Sequence, residues 1–157
     1  MTIFGKPLSA YISFALPFLI LVPLTGIIRL GLSLQGMPNE TVRWVSMTVM
    51  GIIGVIYFAI RVHTTGFGSY KQLLVLIALQ NLTSQVVSIA GILLSIILGT
   101  GNIYSSPEFS FGGGNPWLHV GAHLLIGTTL GSFFPWAIGS LVLLITRSVA
   151  GPRPVRA

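Results

Sequence analysis

The sequence predicts an all-α integral membrane protein: a bundle of four transmembrane helices with both termini in the cytoplasm. Of its 157 residues, 53% are hydrophobic and only 6% are charged, whereas a soluble protein carries about 25% charged residues. The mean hydropathy is +0.92. Four apolar runs are long enough for a hydrocarbon core of about 30 Å. A soluble domain of this size cannot bury so much apolar surface, so soluble enzymes and disordered tails are excluded.

The four apolar runs define the expected spans. They comprise residues 8–28, 42–60, 73–98 and 117–145. The runs lack the apolar/polar alternation of barrel strands, so helices are expected. The first run is longer than the apolar region of a signal peptide and has no small-residue cleavage site, so we expect it to be retained. No internal repeat is visible, which predicts a single membrane domain over residues 1–157.

The residues at the ends of the runs favour particular helix boundaries. Asn115 and Pro116 provide an N-cap and a proline at the first helical position of the fourth helix. Asn39 is expected to cap the second helix in the same way. Gly99 follows the third run and is expected to end it. Three prolines lie within spans and predict kinks: Pro17, Pro23 and Pro135.

The distribution of charge predicts the orientation. With four spans, the side shared by the termini carries six basic residues: Lys6, Arg61, Lys71, Arg147, Arg153 and Arg156. The other side carries Arg29 and Arg43 and both acidic residues of the chain, Glu40 and Glu108. This bias places the termini in the cytoplasm. The basic residues are dispersed at membrane borders, so no nucleic-acid partner is expected. The predicted location is multi-pass, in the inner or plasma membrane of a bacterium or archaeon.

Polar residues of the third span fall on one face of the predicted helix. At 100° per residue, they occupy a single arc apart from Thr83, whose hydroxyl can bond its own helix. Three carboxamides lie near mid-membrane: Gln80, Asn81 and Gln85. They could bridge neighbouring helices, bind an organic ligand with carbonyl groups such as a quinone, bind a lipid headgroup, or line a water path. If a cofactor binds, these three are the candidate ligand contacts.

Small residues and two histidines recur every four positions in the fourth span. The row comprises His119, His123, Gly127, Gly131, Pro135 and Gly139. On an α-helix such a row drifts by about 40° per step, so it predicts a winding ridge against which another helix packs closely. His119 and His123 are one turn apart and are the candidate metal ligands, with Met47, Met50 or Glu108 as further donors that would suit copper.

A haem held by two histidines within one chain is excluded. The remaining histidine, His63, is expected at the opposite membrane face, about 30 Å from the pair. A haem would therefore need an axial methionine, a partner subunit or a second copy of the chain.

Arg29 and the long outer loop are further candidates. Arg29 ends the first run and is expected to reach the interface, to pair with Glu40 or Glu108, or to form an anion site with Arg43. The loop 99–116 could be a flexible connector whose aromatic residues lie at the headgroup level, or a lid or docking surface.

The sequence contains no catalytic constellation. It has no cysteine, no aspartate and no nucleophile motif. The expected function is therefore that of a non-enzymatic structural or accessory subunit of a larger membrane complex. Two alternatives stay open: a redox-associated component that binds quinone, haem or copper, and a small oligomeric transporter or channel. No cofactor is required. The expected partners are the lipid bilayer and other membrane subunits or further copies of the chain.

Overall fold

A computed structural model describes residues 1–109 and 115–151. Four helical segments are long and apolar enough to cross a membrane, which confirms the four predicted helices. The helices are α1 Leu8–Leu34, α2 Asn39–Val42, α3 Met47–Thr64, α4 Tyr70–Leu98, α5 Pro116–Ala122 and α6 Thr128–Ala150. A π-helical segment, His123–Gly127, joins α5 to α6 without a break. A short hairpin precedes α1 and consists of two strands of two residues each, β1 Thr2–Ile3 and β2 Lys6–Pro7.

The expected cap at Asn39 was wrong. Asn39 does not cap a continuous helix, because α2 ends at Val42 and α3 begins only at Met47. The Asn39 amide instead donates to the hydroxyl of Ser106, at 3.1 Å. Ser46 caps α3, since its hydroxyl accepts from the backbone N–H of Val49. A capping serine competes with the helical backbone and divides this span in two.

The other predicted boundaries agree with the structure. The Asn115 side chain accepts hydrogen bonds from the N–H groups of Trp117 and Leu118, ahead of Pro116. Gly99 ends α4 with a φ of 64°, a conformation that glycine adopts without strain. At its other end, α4 begins at Tyr70 because Ser69 and Gln72 form a capping box.

The helices α3 and α4 form the centre of the bundle. Both contact α1 on one side and α6 on the other. A cluster of aliphatic and aromatic residues that includes Tyr11, Phe18 and Phe58 occupies the end of the bundle that carries the N-terminus, here called the terminal end. A second cluster around Val22, Met47 and Tyr104 occupies the opposite end, here called the loop end. The carboxamides of α4 lie between the two clusters.

The predicted inward arc of α4 is confirmed. Gln80, Ser88 and Gly91 are buried, whereas Val86 and Ile97 on the opposite side are exposed. The Thr83 hydroxyl, which lies off the arc, donates to the backbone carbonyl of its own helix at Gln80, at 2.7 Å.

The first part of the loop after α4 is packed into the bundle. The buried Asn102 side chain donates to the Gly91 carbonyl at 2.7 Å and accepts from the Tyr104 N–H at 2.9 Å. Tyr104 lies against Gly91, where a Cβ atom would be 2.9 Å from Cγ of the ring. Ile103 and Tyr104 are therefore core residues and do not lie at the headgroup level. Phe111 and the glycines at 112–114, on which the lid hypothesis also depended, lie outside the described residues.

Candidate functional site

A cavity of about 480 Å³, the deep chamber, lies among α3, α4 and α6. Most of its wall is apolar, contributed by residues such as Val55, Ile77, Pro135 and Val142. The three carboxamides predicted from the sequence line the same cavity: Gln80, Asn81 and Gln85. The volume lies within the range of small-molecule sites, about 300–1,000 Å³, and so does the pattern of apolar walls with a few polar groups.

Gln80 is buried with only one side of its amide satisfied. Its Nε2 donates to the Gly51 carbonyl at 2.9 Å. Its Oε1 lies against Gly54 and has no hydrogen-bond partner among residues 1–109 and 115–151. Leaving a buried carbonyl oxygen unpaired costs about 1–3 kcal/mol. Gln80 is thus the carboxamide whose side-chain oxygen accepts no hydrogen bond within the described residues.

Asn81 and Gln85 connect α4 to the fourth span. The Asn81 amide donates to the carbonyl of Gly127 and to the hydroxyl of Ser132, both at 2.9 Å. The Gln85 amide donates to Oδ1 of Asn81 at 2.9 Å and to the Gly127 carbonyl at 3.3 Å. These two carboxamides therefore serve as interhelical bridges, one of the two main roles considered for them.

The π-helical segment brings the histidines to the carboxamides. His123, its first residue, lies with Nδ1 2.6 Å from Oε1 of Gln85. Because a carboxamide oxygen only accepts, Nδ1 carries the proton, and Nε2 of the neutral ring keeps its lone pair. No pattern in the sequence indicates this contact, which joins two predicted sites into one network. π-Helical segments of this kind frequently occur at functional sites.

A second cavity of about 220 Å³, the outer chamber, adjoins the deep chamber at the loop end. Four residues line both cavities: Met47, Thr48, Ser84 and Gln85. The remaining wall is more polar and includes Arg29, Ser88, Tyr104, His119 and His123. The two chambers therefore adjoin, one with a mostly apolar wall and the other with a more polar wall.

Arg29 lies between aromatic rings of the loop. Its guanidinium carbon is 5.5 Å from the ring centroid of Tyr104 and 5.6 Å from that of Phe109, distances typical of cation–π contacts. Its Nε is buried and unpartnered among the described residues. Of the roles considered for Arg29, the pairing with Glu40 or Glu108 is not found within that part of the chain. The rings hold the guanidinium at the chamber wall instead.

Tyr104 forms part of the same wall and stays protonated. Burial raises its pKa to about 12, an effect that the positive charge of Arg29 partly opposes. The neutral hydroxyl donates to the Gly26 carbonyl at 2.9 Å, which ties the loop to α1. Sequence reasoning missed this role, although a tyrosine followed by a proline-containing turn was visible in the loop.

The two histidines remain candidate metal ligands. Their ring centroids are 4.9 Å apart, and both rings border the outer chamber together with Met47. Within the described residues, no group of three or more His, Cys, Asp or Glu side chains could hold a metal ion. Nδ1 of His123 is engaged by Gln85, so its Nε2 is the nitrogen that a metal could use.

Comparison with known proteins leaves the chain to be interpreted from its own geometry. No protein-family model matches it, and no curated protein or solved structure matches it significantly. The inference to function therefore rests on the two chambers and on the residues that line them.

Proposed function

We propose that the protein binds a lipid-soluble organic ligand inside the helix bundle, in the deep chamber. The observation that carries this proposal is the pair of adjoining cavities, about 480 Å³ and 220 Å³, in a chain of only 157 residues. Three carboxamides in an otherwise apolar wall support it, because a few polar groups in such a wall can orient a bound ligand. The proposal develops the ligand-binding alternative, whose candidate ligands include quinones.

The surface of the bundle supports entry of the ligand from the bilayer. Three isoleucines that line the deep chamber are also exposed on the outside of the helices: Ile52 by 55%, Ile56 by 42% and Ile138 by 60%. The chamber wall between α3 and α6 is therefore also surface that lipid would contact. A lipid-soluble ligand could pass between these helices without crossing water.

Filling the chamber should remove the ligand. A Cβ atom at Gly51 would lie 3.4 Å from Nε2 of Gln80, an ordinary contact, so Gly51→Leu can extend into the cavity without breaking the backbone packing. We expect at least a tenfold loss of the organic compound that is extracted from the purified protein and quantified by mass spectrometry. Gly31→Leu is the matched control, because nothing lies within 4 Å of a Cβ at that position. Equal ligand content in both variants would contradict the proposal.

The second candidate function is that of an accessory subunit in a larger membrane complex. The observation that favours it is the fourth span, Pro116–Ala150, whose most apolar window is only 11% buried, against 22–33% for the others. A partner subunit, a second copy of the chain or lipid would cover such a surface equally well. Purification in a mild detergent, followed by identification of co-purifying proteins and measurement of molecular mass, tests this function. The same measurements test the alternative of an oligomeric channel.

We also propose that both termini are cytoplasmic, in the inner or plasma membrane of a bacterium or archaeon. The excess of basic residues at the terminal end supports this orientation. The outer chamber would then face away from the cytoplasm. A reporter fused after Ala157 should behave as cytoplasmic, and a reporter inserted at Gly113 as external. The reverse pattern would place the outer chamber on the cytoplasmic side.

A further inference from the structure

Arg29 is a cation at the loop end of the bundle with no anionic partner among the described residues. The outer chamber, as far as the described residues define it, contains this arginine and no carboxylate. An unpaired charge within a membrane span is costly and marks a functional site by default. The cation–π contacts with Tyr104 and Phe109 offset part of this cost but leave the hydrogen-bonding edge of the guanidinium unused.

We propose that the outer chamber binds the anionic headgroup of a single-chain amphiphile, such as a fatty acid, whose chain occupies the deep chamber. This inference rests on the proposed function and specifies its ligand class. The headgroup chemistry is a carboxylate or phosphate oxyanion that Arg29 pairs with. The hydrocarbon chain extends past the shared wall at Met47 and Ser84 into the apolar end of the site.

The donor set of Arg29 suits an oxyanion. A guanidinium presents its N–H groups in a planar fork that matches two oxygen atoms of a carboxylate or phosphate. The Nε of Arg29 is buried without a hydrogen-bond partner among the described residues, so the other N–H groups of the guanidinium are the donors that would meet an oxyanion. Contacts with the rings of Tyr104 and Phe109 restrict the side chain before the ligand arrives. Little side-chain freedom is then lost on binding.

The shape of the site suits a single chain. Along α4 the combined wall runs from Ile77 to Ser88, which spans about 17 Å at a rise of 1.5 Å per residue. This length is about half of a hydrocarbon core of 30 Å, so the site is long enough for part of a hydrocarbon chain. The polar end at Arg29 and the apolar end at Ile77 and Val142 match the two parts of such an amphiphile.

A ligand series on the unmodified chain tests the inference. The full-length protein in an uncharged detergent is labelled with a photoactivatable long-chain fatty acid. The competitors are the unlabelled acid, the alcohol and the monoalkyl phosphate of the same chain length, and the small anions acetate and inorganic phosphate. We expect the acid or the alkyl phosphate to compete at least about tenfold better than the alcohol, because each forms charge-assisted hydrogen bonds. The better of the two identifies the headgroup, and the small anions should compete weakly.

Arginine variants then assign the preference to one side chain. Arg29→Gln should bring the acid and the alcohol to equal affinity, and Arg29→Lys should retain part of the difference because it keeps the charge. Arg43→Gln is the matched control, since Arg43 lies exposed at the same end of the bundle over the ring of Trp44. It should leave the preference unchanged.

Three results would overturn the inference. Equal competition by acid and alcohol on the unmodified chain would remove the anionic headgroup but leave the proposed cavity ligand standing. Competition by acetate or inorganic phosphate as strong as that by the fatty acid would indicate a small-anion site instead. Failure of every amphiphile to compete would remove the fatty-acid inference, while the ligand content of Gly51→Leu would still decide the proposed cavity ligand. All three results are obtained with the unmodified chain, so they test the inference even if Arg29→Gln does not fold.

Discussion

Replacement of Gly54 by leucine is expected to lower the melting temperature of the bundle by about 10 °C, or to prevent its assembly. Gly54 lies where α3 meets Gln80 of α4 and Phe18 of α1. A Cβ atom there would contact Oε1 of Gln80 and would lie 2.8 Å from its Cδ and 2.9 Å from Cδ1 of Phe18. Both neighbours would have to move.

Two costs combine at Gly54. Overpacking a helix interface costs about 1–3 kcal/mol. Displacing Gln80 also breaks its hydrogen bond to the Gly51 carbonyl and leaves a buried amide unsatisfied, at a further cost of about 1–3 kcal/mol. Thermal unfolding in detergent measures the sum, with Gly31→Leu as the control in open space. Equal melting temperatures for the two variants would show that α1, α3 and α4 do not meet at Gly54.

Replacement of Gly127 by leucine is expected to separate α4 from the fourth span. A Cβ atom at Gly127 would contact Oε1 of Gln85 and lie 2.9 Å from its Cδ. Moving Gln85 breaks its contact with Nδ1 of His123 and its hydrogen bond to Asn81. We expect a loss of about 2–4 kcal/mol, since overpacking and unpaired buried groups both contribute.

The fourth span supplies its own control. Gly121 lies on the same span, and nothing is found within 4 Å of a Cβ placed there, so Gly121→Leu should retain the wild-type melting temperature. Gly131→Leu should behave like Gly127→Leu, because a Cβ there would lie 3.2 Å from both Nδ2 and Oδ1 of Asn81. If all three variants had the same melting temperature, the glycine row would not pack against α4.

The spans and the inward face of α4 could be predicted because both depend on local sequence. Hydropathy over some 20 residues identifies a span, and a 100° angular step identifies a face. The cap at Asn115 follows from the residue and the proline after it. The break before α3 is set by the cap at Ser46, a local signal that the apolar character of the whole run obscured.

The contacts among the site residues could not be predicted, because they join residues that are far apart in the sequence. Gln85 and His123 were candidates for two separate ligands, and their direct contact is set by how α4 and the fourth span align. Pairing with a carboxylate was one role considered for Arg29, which instead contacts two rings of the loop. Tyr104 was expected at the headgroup level, yet the absence of a side chain at Gly91 admits it to the core.

The π-helical segment corrects the phase of the fourth span. In an α-helix, four residues overshoot a full turn by about 40°, so a row spaced by four turns away from its partner. A π turn holds more residues than an α turn, and four residues there fall short of a full turn. The segment His123–Gly127 therefore offsets the drift midway along the row. As a result, Gly127 and Gly131 both face carboxamides of α4, while His123 keeps its ring directed at Gln85 on the same side of the helix.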